Sequence, residues 1–268
     1  MGDSRLSRVL LLGFTALAVI FLFAPIAVMI IFSFNDPAGR QNITWQGFTI
    51  RNYFDIWSRP QITGPMVTSL ALAAISTVLA TAFGTMIALA LARYQFRGRS
   101  LLNLLIFVPM TAPEIILGAS LLTLWISIGT PRGFLTILVA HVMFNISYVV
   151  VTVRARLVGF NRSLEEAGMD LYASRWQAFW RVTFTLSLPG VVAGSLLTFI
   201  PAIGDFINAE IIGAGNPEVQ MIGNIIQFKY INANDYPAAA ALSFVLVVGV
   251  TLLVAGYSRV FGTDRLTT

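Results

Sequence analysis

The chain has 268 residues, of which 57% are hydrophobic and 11% are charged, and its mean hydropathy is +0.80. This composition excludes an ordinary soluble domain, in which about a quarter of the residues are charged, and predicts a chain embedded in a bilayer. The absence of cysteine excludes disulfides and thiolate metal sites. The net charge of +5 is scattered between apolar runs, so no nucleic-acid partner is expected.

Six apolar stretches are each long enough to cross a bilayer, which takes about 20 residues. All six are expected to be helices, because an open sheet would leave backbone groups unpaired in lipid. The sequence therefore predicts an all-α polytopic membrane protein, with residues 1–268 forming one transmembrane domain in contact with lipid. The expected spans are 9–32, 66–92, 101–128, 134–153, 182–203 and 238–261.

The positions of arginine and lysine predict how these spans are oriented. With the N-terminus in the cytoplasm, the cytoplasmic segments hold twelve of the 17 basic residues. Both termini are therefore expected in the cytoplasm. The twelve are Arg5, Arg8, Arg93, Arg97, Arg99, Arg154, Arg156, Arg162, Arg175, Arg181, Arg259 and Arg265, and the outer segments keep Arg40, Arg51, Arg59, Arg132 and Lys229.

Two segments depart from a simple pattern of spans and solvated loops. The third span contains Pro109, Pro113 and Glu114, and proline removes a backbone donor, so its helix is expected to be kinked or unwound there. The segment after the fifth span, residues 204–237, is too apolar for a solvated loop. We expect it to fold partly back into the protein.

The longest cytoplasmic segment, about 154–181, contains a helix start. Ser163 and Glu166 have the spacing of a capping box, in which each side chain satisfies a free backbone donor. Leu164, Ala167, Gly168, Leu171 and Tyr172 then recur at helical spacing. This pattern predicts a short amphipathic helix, whose apolar stripe could rest on its own spans, on lipid headgroups or in a groove of a partner.

This segment resembles the cytoplasmic EAA motif of ATP-binding-cassette (ABC) importer permeases. That motif reads Glu-Ala-Ala, three residues, then glycine, and ends in Ile-x-Leu-Pro. It maps onto Glu166-Ala167-Gly168, then Tyr172 in place of the glycine, and Leu186-Ser187-Leu188-Pro189; Gly168 also departs from the second alanine. The resemblance implies a coupling helix seated on an ATPase and made of Ser163, Leu164, Glu165, Glu166, Ala167, Gly168, Leu171 and Tyr172.

Other segments look like the permeases of spermidine and putrescine importers, namely SFN near Ser33, WQGFTIRNYFDIW after Thr44, TFIPAIGDF, and YPAAAALSFVL. This resemblance covers most of the chain. It implies a type I importer permease in a prokaryotic inner membrane, moving a polyamine. It also implies three kinds of partner: a second permease, either a paralogue or a second copy, two ATPase subunits, and an external substrate-binding protein.

The chain is not expected to be an enzyme. A phosphate-binding loop ends in Gly-Lys-Ser/Thr, and the only lysine is Lys229, between Phe228 and Tyr230. No cofactor is therefore expected on this chain, and ATP with magnesium is expected on the partner ATPases.

Acidic residues at membrane level are candidates for substrate contact, because burying a carboxylate in a membrane is expensive. Glu114 lies in the broken third span, and Asp205, Asn208 and Glu210 follow the fifth span. A structural alternative is that Glu114 caps a restarted half-helix and that the other acids lie in a solvated loop. His141, the only histidine, is expected to make a buried hydrogen bond, and Glu165 is expected to be solvated.

Two other interpretations of function remain open at this point. The permease could serve an ABC importer for a sugar, an amino acid or an inorganic ion. Alternatively, the chain could be a channel or transporter that needs no ATPase.

Overall fold

A computed structural model describes residues 5–39, 44–57, 59–158, 160–161, 163–213 and 216–261. Arg40, Arg162 and Arg265, used above to predict orientation, lie outside the described residues. The described chain is almost entirely helical, and its single β-bridge joins Asn35 and Phe48. The expectation of an all-α fold is confirmed.

Twelve α-helices follow one another along the described residues, with two π-helical segments and one 3-10 turn between them. The α-helices are α1 (Arg5–Ser33), α2 (Arg51–Trp57), α3 (Pro60–Arg93), α4 (Arg99–Thr111), α5 (Glu114–Ser127), α6 (Phe134–Leu157), α7 (Ser163–Asp170), α8 (Arg175–Ala178), α9 (Thr185–Gly204), α10 (Ile207–Gly213), α11 (Ile222–Gln227) and α12 (Tyr236–Phe261). The π segments are Phe179–Phe184 and Phe228–Asn232, and the 3-10 turn is Pro217–Val219.

Within the described residues, five helical segments are long and apolar enough to cross a membrane. A sixth span results if α4 and α5 are taken together, although they are bent by 111° where they meet. Ala112 at the break is extended, with φ −77° and ψ 140°, because the ring of the following Pro113 disfavours helical geometry at the residue before it. The expected interruption of the third span is confirmed.

The fifth span begins earlier than the sequence pattern suggested. Helix runs without a gap from Arg175 through the π segment to Gly204, whereas hydropathy placed the start near residue 182. Ser174 caps this start, since its hydroxyl accepts from the Gln177 backbone while the Gln177 side chain accepts from the Ser174 backbone. Hydropathy missed this turn because it is amphipathic rather than uniformly apolar.

The described residues group into two compact units, one made of residues 1–60 and 225–249 and the other of residues 61–224 and 250–268. In the first unit, Asn35 is fully buried and holds the chain after α1, since its amide donates to Thr44 O and accepts from the Gln46 backbone. The rings of Phe34 and Tyr53 pack on Phe244 of α12.

The second unit is held together by close packing of α6 against α9. A Cβ added at Gly190 would lie 2.9 Å from Arg156 Cβ and 3.1 Å from Val153 Cα, and one at Gly194 would lie 3.3 Å from Val149 Cα. Small residues four apart let two helix backbones approach closely, which is a common way of packing helices in membranes.

The segment after the fifth span folds back into the protein, as its apolar sequence predicted, and its residues 204–224 belong to this second unit. Ile212 in α10, Met221 and Ile222 are fully buried. A Cβ at Gly223 would lie only 2.7 Å from the backbone oxygen of Gly204. The returning chain therefore packs directly against the end of α9.

Substituting alanine for glycine should destabilise the protein where the glycine is closely packed and not where the space around it is open. We expect Gly190→Ala to lower the free energy of unfolding by about 1–3 kcal/mol, because its Cβ would press on the α6 backbone. Gly249→Ala in α12 is the matched control, since no described atom lies within 4 Å of that Cβ. Alanine is the better helix former, so the control should be neutral or stabilising by up to about 1 kcal/mol. Thermal unfolding in detergent measures both, and equal effects would contradict the packing described.

Candidate functional site

The break in the third span carries an acid and amide pair. Glu114 is the first residue of α5, and its Oε1 accepts a hydrogen bond of 2.7 Å from Nδ2 of Asn208 in α10. Asn208 is 1% exposed, whereas Glu114 is exposed on the surface of the chain. The carboxylate therefore bonds a side chain on another helix and does not cap its own.

A second acid and amide pair lies close by in the returning segment. Nδ2 of Asn224 donates to Glu210 Oε2 at 2.9 Å and to the backbone oxygen of Phe206 at 3.2 Å, and its Oδ1 accepts from the Met221 backbone. Asn224 is 7% exposed, while Glu210 is exposed. Asn224 was not among the predicted site residues, and nothing in its apolar surroundings distinguishes it in the sequence.

Asp205 is held differently, by the single histidine of the chain. Its Oδ1 accepts from the Ile207 backbone at 3.0 Å, and its Oδ2 lies 3.2 Å from Nε2 of His141. The two side chains are only 9% and 5% exposed. Nδ1 of His141 lies 3.1 Å from the backbone oxygen of Ile137. The expected buried hydrogen-bonding role of His141 is confirmed.

His141 and Asp205 face each other inside the protein. A carbonyl oxygen can only accept, so His141 donates through Nδ1 to the backbone of Ile137. Because the Asp205 side chain is only 9% exposed, it is less accessible to a ligand than the exposed carboxylates of Glu114 and Glu210.

The four predicted candidates therefore have different environments. Asp205 and His141 lie close enough to Glu114 to interact electrostatically, and Asn208 bonds Glu114 directly. Glu210 is linked to this group of residues through Asn224, whose amide donates both to Glu210 and to the backbone oxygen of Phe206, the residue after Asp205. Two carboxylates remain exposed, each fixed by a buried amide.

Substitutions at His141 and Asp205 test the contact between these two side chains. Asp205→Asn should lower the free energy of unfolding by less than about 1 kcal/mol, because the amide can donate to Nε2 of His141 and still accept from the Ile207 backbone. His141→Leu should cost about 3 kcal/mol or more, since it leaves a buried carboxylate without a partner. In the Asp205→Asn background most of that cost should disappear, and additive effects in this double-mutant cycle would contradict the pairing.

Helix α7 begins at Ser163, and its cap differs from the expected one. The side chain of Asn161 accepts from the Ser163 backbone at 3.1 Å, so Ser163 is already helical and is not the capping residue. The capping box expected from Ser163 and Glu166 is therefore wrong in its first residue. Asn161 lies two residues before Ser163, and its side-chain oxygen closes an Asx turn by accepting from the Ser163 backbone.

The end of α7 explains the glycine in the EAA motif. Tyr172 has a φ of +64°, Ala173 N donates to Gly168 O, and Tyr172 N donates to Met169 O. These bonds form a Schellman motif, whose left-handed residue is usually glycine. Tyr172 occupies that position with its side chain 99% exposed, and Leu171 beside it is 82% exposed. The helix is therefore shorter than the expected Ser163–Tyr172.

Glu165 is not solvated as expected. Its carboxylate accepts a hydrogen bond from the guanidinium of Arg93, the last residue of α3, and only 18% of its side chain is exposed. Gly168 of α7 faces Val182, and a Cβ there would lie at an ordinary contact distance of 3.8 Å. The alanine of the EAA motif would therefore fit at this position.

The described residues thus combine several helices long and apolar enough to cross a membrane, a broken helix whose Glu114 bonds a buried amide, and an exposed helix outside the apolar segments. These features are those of a polytopic membrane protein with polar side chains held at a broken span. Residues 80–259 match the model of a family described as binding-protein-dependent transport system inner membrane component. The chain belongs to this family, and it is an inner-membrane permease subunit of an ABC importer.

Two curated relatives match nearly the whole chain. The spermidine/putrescine transport system permease protein PotC of Escherichia coli strain K12 is 31% identical over 260 residues, covering 97% of this chain and 96% of the relative. The putrescine transport system permease protein PotI of the same strain is 33% identical over 259 residues, covering 93% and 88%.

The fold also matches a solved transporter. A chain in the crystal structure of a bacterial alginate ABC transporter, in complex with an alginate pentasaccharide-bound periplasmic protein, superposes with a TM-score of 0.76. The match covers 98% of this chain and 96% of that one at 15% identity. At this identity the likeness concerns the fold alone.

Proposed function

We propose that this chain is one of two permeases that form the pathway of a polyamine importer, with residues 1–268 acting as a single permease domain. The observation that carries the proposal is the pair of exposed carboxylates, Glu114 and Glu210, each fixed by a buried asparagine at the broken span. The names of the relatives support a polyamine as the substrate.

This arrangement suits a flexible polycation. Ammonium groups donate hydrogen bonds, and an ionised carboxylate is the strongest acceptor for them. Asn208 and Asn224 use their amide hydrogens on the carboxylates, which holds the remaining oxygen lone pairs toward the pathway. Asp205 is buried against His141 and serves as a support, not as a contact for the substrate.

The energy of ATP hydrolysis would be transmitted to the permease through the cytoplasmic helix α7. The exposed end of α7, with Leu171 and Tyr172, is the surface we propose to seat in an ATPase groove, together with Leu164, Glu166 and Ala167. Two ATPase subunits would bind and hydrolyse ATP with magnesium, and an external binding protein would deliver the substrate. The second permease, a paralogue or another copy, would complete the pathway.

Removing the two exposed charges should weaken polyamine uptake. A charged hydrogen bond contributes about 1.5–3 kcal/mol, so we expect Glu114→Gln and Glu210→Gln each to raise the KM for uptake roughly 10-fold to 100-fold. Uptake of radiolabelled spermidine and putrescine into proteoliposomes with the complete importer measures this. Glu218→Gln, an exposed acid on the 3-10 turn, is the matched control and should behave as wild type.

The same assay separates the proposed substrate from other solutes. Unchanged polyamine uptake in the Glu114→Gln, Glu210→Gln double variant would contradict the proposed pathway. Uptake of a sugar, an amino acid or an inorganic ion in place of any polyamine would contradict the substrate class.

Glu166→Arg tests the docking helix. Glu166 is exposed on α7. Reversing its charge should abolish co-purification of the ATPase and ATP-dependent uptake, while the permease itself keeps its wild-type unfolding temperature. A Glu166→Arg variant that binds its ATPase and transports normally would contradict docking at α7, and transport without any ATPase would favour a channel.

A further inference from the structure

Arg93 joins three elements of the second unit at the cytoplasmic end of α3. One guanidinium nitrogen, Nη2, donates both to the Glu165 carboxylate on α7 and to Thr183 Oγ1 at 2.6 Å. Thr183 lies in the π segment at the start of the fifth span and is fully buried. The side chain of Arg93 is 23% exposed and that of Glu165 is 18% exposed, so water screens this ion pair less than a surface pair.

Helix α7 is short and lies at the surface of the unit. It spans only Ser163–Asp170 and has no buried residue, and a helix this short gains almost nothing from its own hydrogen bonds in water. Its Gly168 faces Val182 of the π segment. An arginine held by two partners restricts the direction in which such a helix can move, since the guanidinium is a flat, rigid donor.

Both helices that Arg93 connects to α7 reach the candidate substrate site at their other ends. The fifth span ends at Gly204, and its C-terminal cap is Asp205. In α3, Ser69 Oγ accepts a hydrogen bond of 2.8 Å from the backbone of Ile222, two residues before Asn224. A shift of α7 can therefore reach Glu210 and its amide partner through two continuous helical segments.

We propose that Arg93 is a positioning residue that couples α7 to the substrate site. It connects Glu165 of α7 both to α3, in which Arg93 lies, and to the start of the fifth span, through Thr183. The inference rests on the proposed docking of an ATPase at α7. Arg93 contacts neither the ATPase nor the substrate in this scheme. Its loss should leave docking and ATP hydrolysis intact while transport becomes inefficient.

The test uses the complete importer in proteoliposomes, with uptake and ATP hydrolysis measured together. Arg93→Gln should reduce the number of substrate molecules moved per ATP about tenfold, within the usual range of coupling between sites. Glu165→Gln should have the same effect, and the double variant should be no worse than either. The exchange of Arg93→Glu with Glu165→Arg should recover most of the coupling, because the ion pair and the bond to Thr183 can both form again.

The matched control is Arg97→Gln, which removes the same charge from an exposed residue four positions away. Because the chain has no cysteine, spin labels at Tyr94→Cys and Asp170→Cys report the position of α7 directly. The distance distribution between these labels should broaden in Arg93→Gln and stay narrow in Arg97→Gln.

A wild-type ratio of uptake to hydrolysis in Arg93→Gln would overturn the inference, as would an unchanged label distance or an exchange variant that recovers nothing. Loss of ATPase binding in Arg93→Gln would also overturn it, because the residue would then act in docking. These outcomes are distinct from failure of the proposed function, which Glu166→Arg tests on its own.

Discussion

The cost of leaving polar groups unpaired in a membrane governs this structure. Lipid offers no hydrogen bonds, so backbone and side-chain groups at membrane depth must be satisfied within the protein. Most of the chain meets this requirement by forming long helices, but the helix of the third span is interrupted. Its break at Pro113 brings a carboxylate, Glu114, to the surface of the chain, and buried Asn208 satisfies it from another helix. The returning segment supplies this partner from a buried, closely packed stretch of chain.

The requirement also separates acids that support the fold from acids that can receive a ligand. Asp205 and His141 are both buried and contact each other within the protein. Glu114 and Glu210 are exposed, and each carboxylate accepts a hydrogen bond from one buried amide. Arg93 and Glu165 form an ion pair that joins separate helices. The paired charges hold elements together, while the exposed ones are left to interact with other molecules.

Local patterns in the sequence predicted most of the helices, the break at Pro113 and the returning segment, because hydropathy and proline geometry act over short stretches. Resemblance to the EAA motif was needed to give α7 a function. The pairing of residues far apart in sequence could not be predicted, as with Arg93 and Glu165 or His141 and Asp205, since it depends on how helices pack. The cap of α7 was missed for a different reason. Asn161 and Ser163 are both good capping residues, and the choice between them depends on where the chain turns.

We propose that Glu114 and Glu210 receive the substrate, while Asp205, which is buried against His141, does not. A cryo-electron microscopy structure of the assembled importer, trapped with spermidine in its pathway, would show which acids bind it. We expect ammonium nitrogens within hydrogen-bond distance of the Glu114 and Glu210 carboxylates, with His141 still against Asp205. Spermidine bound directly to Asp205, with both glutamates away from it, would contradict this assignment.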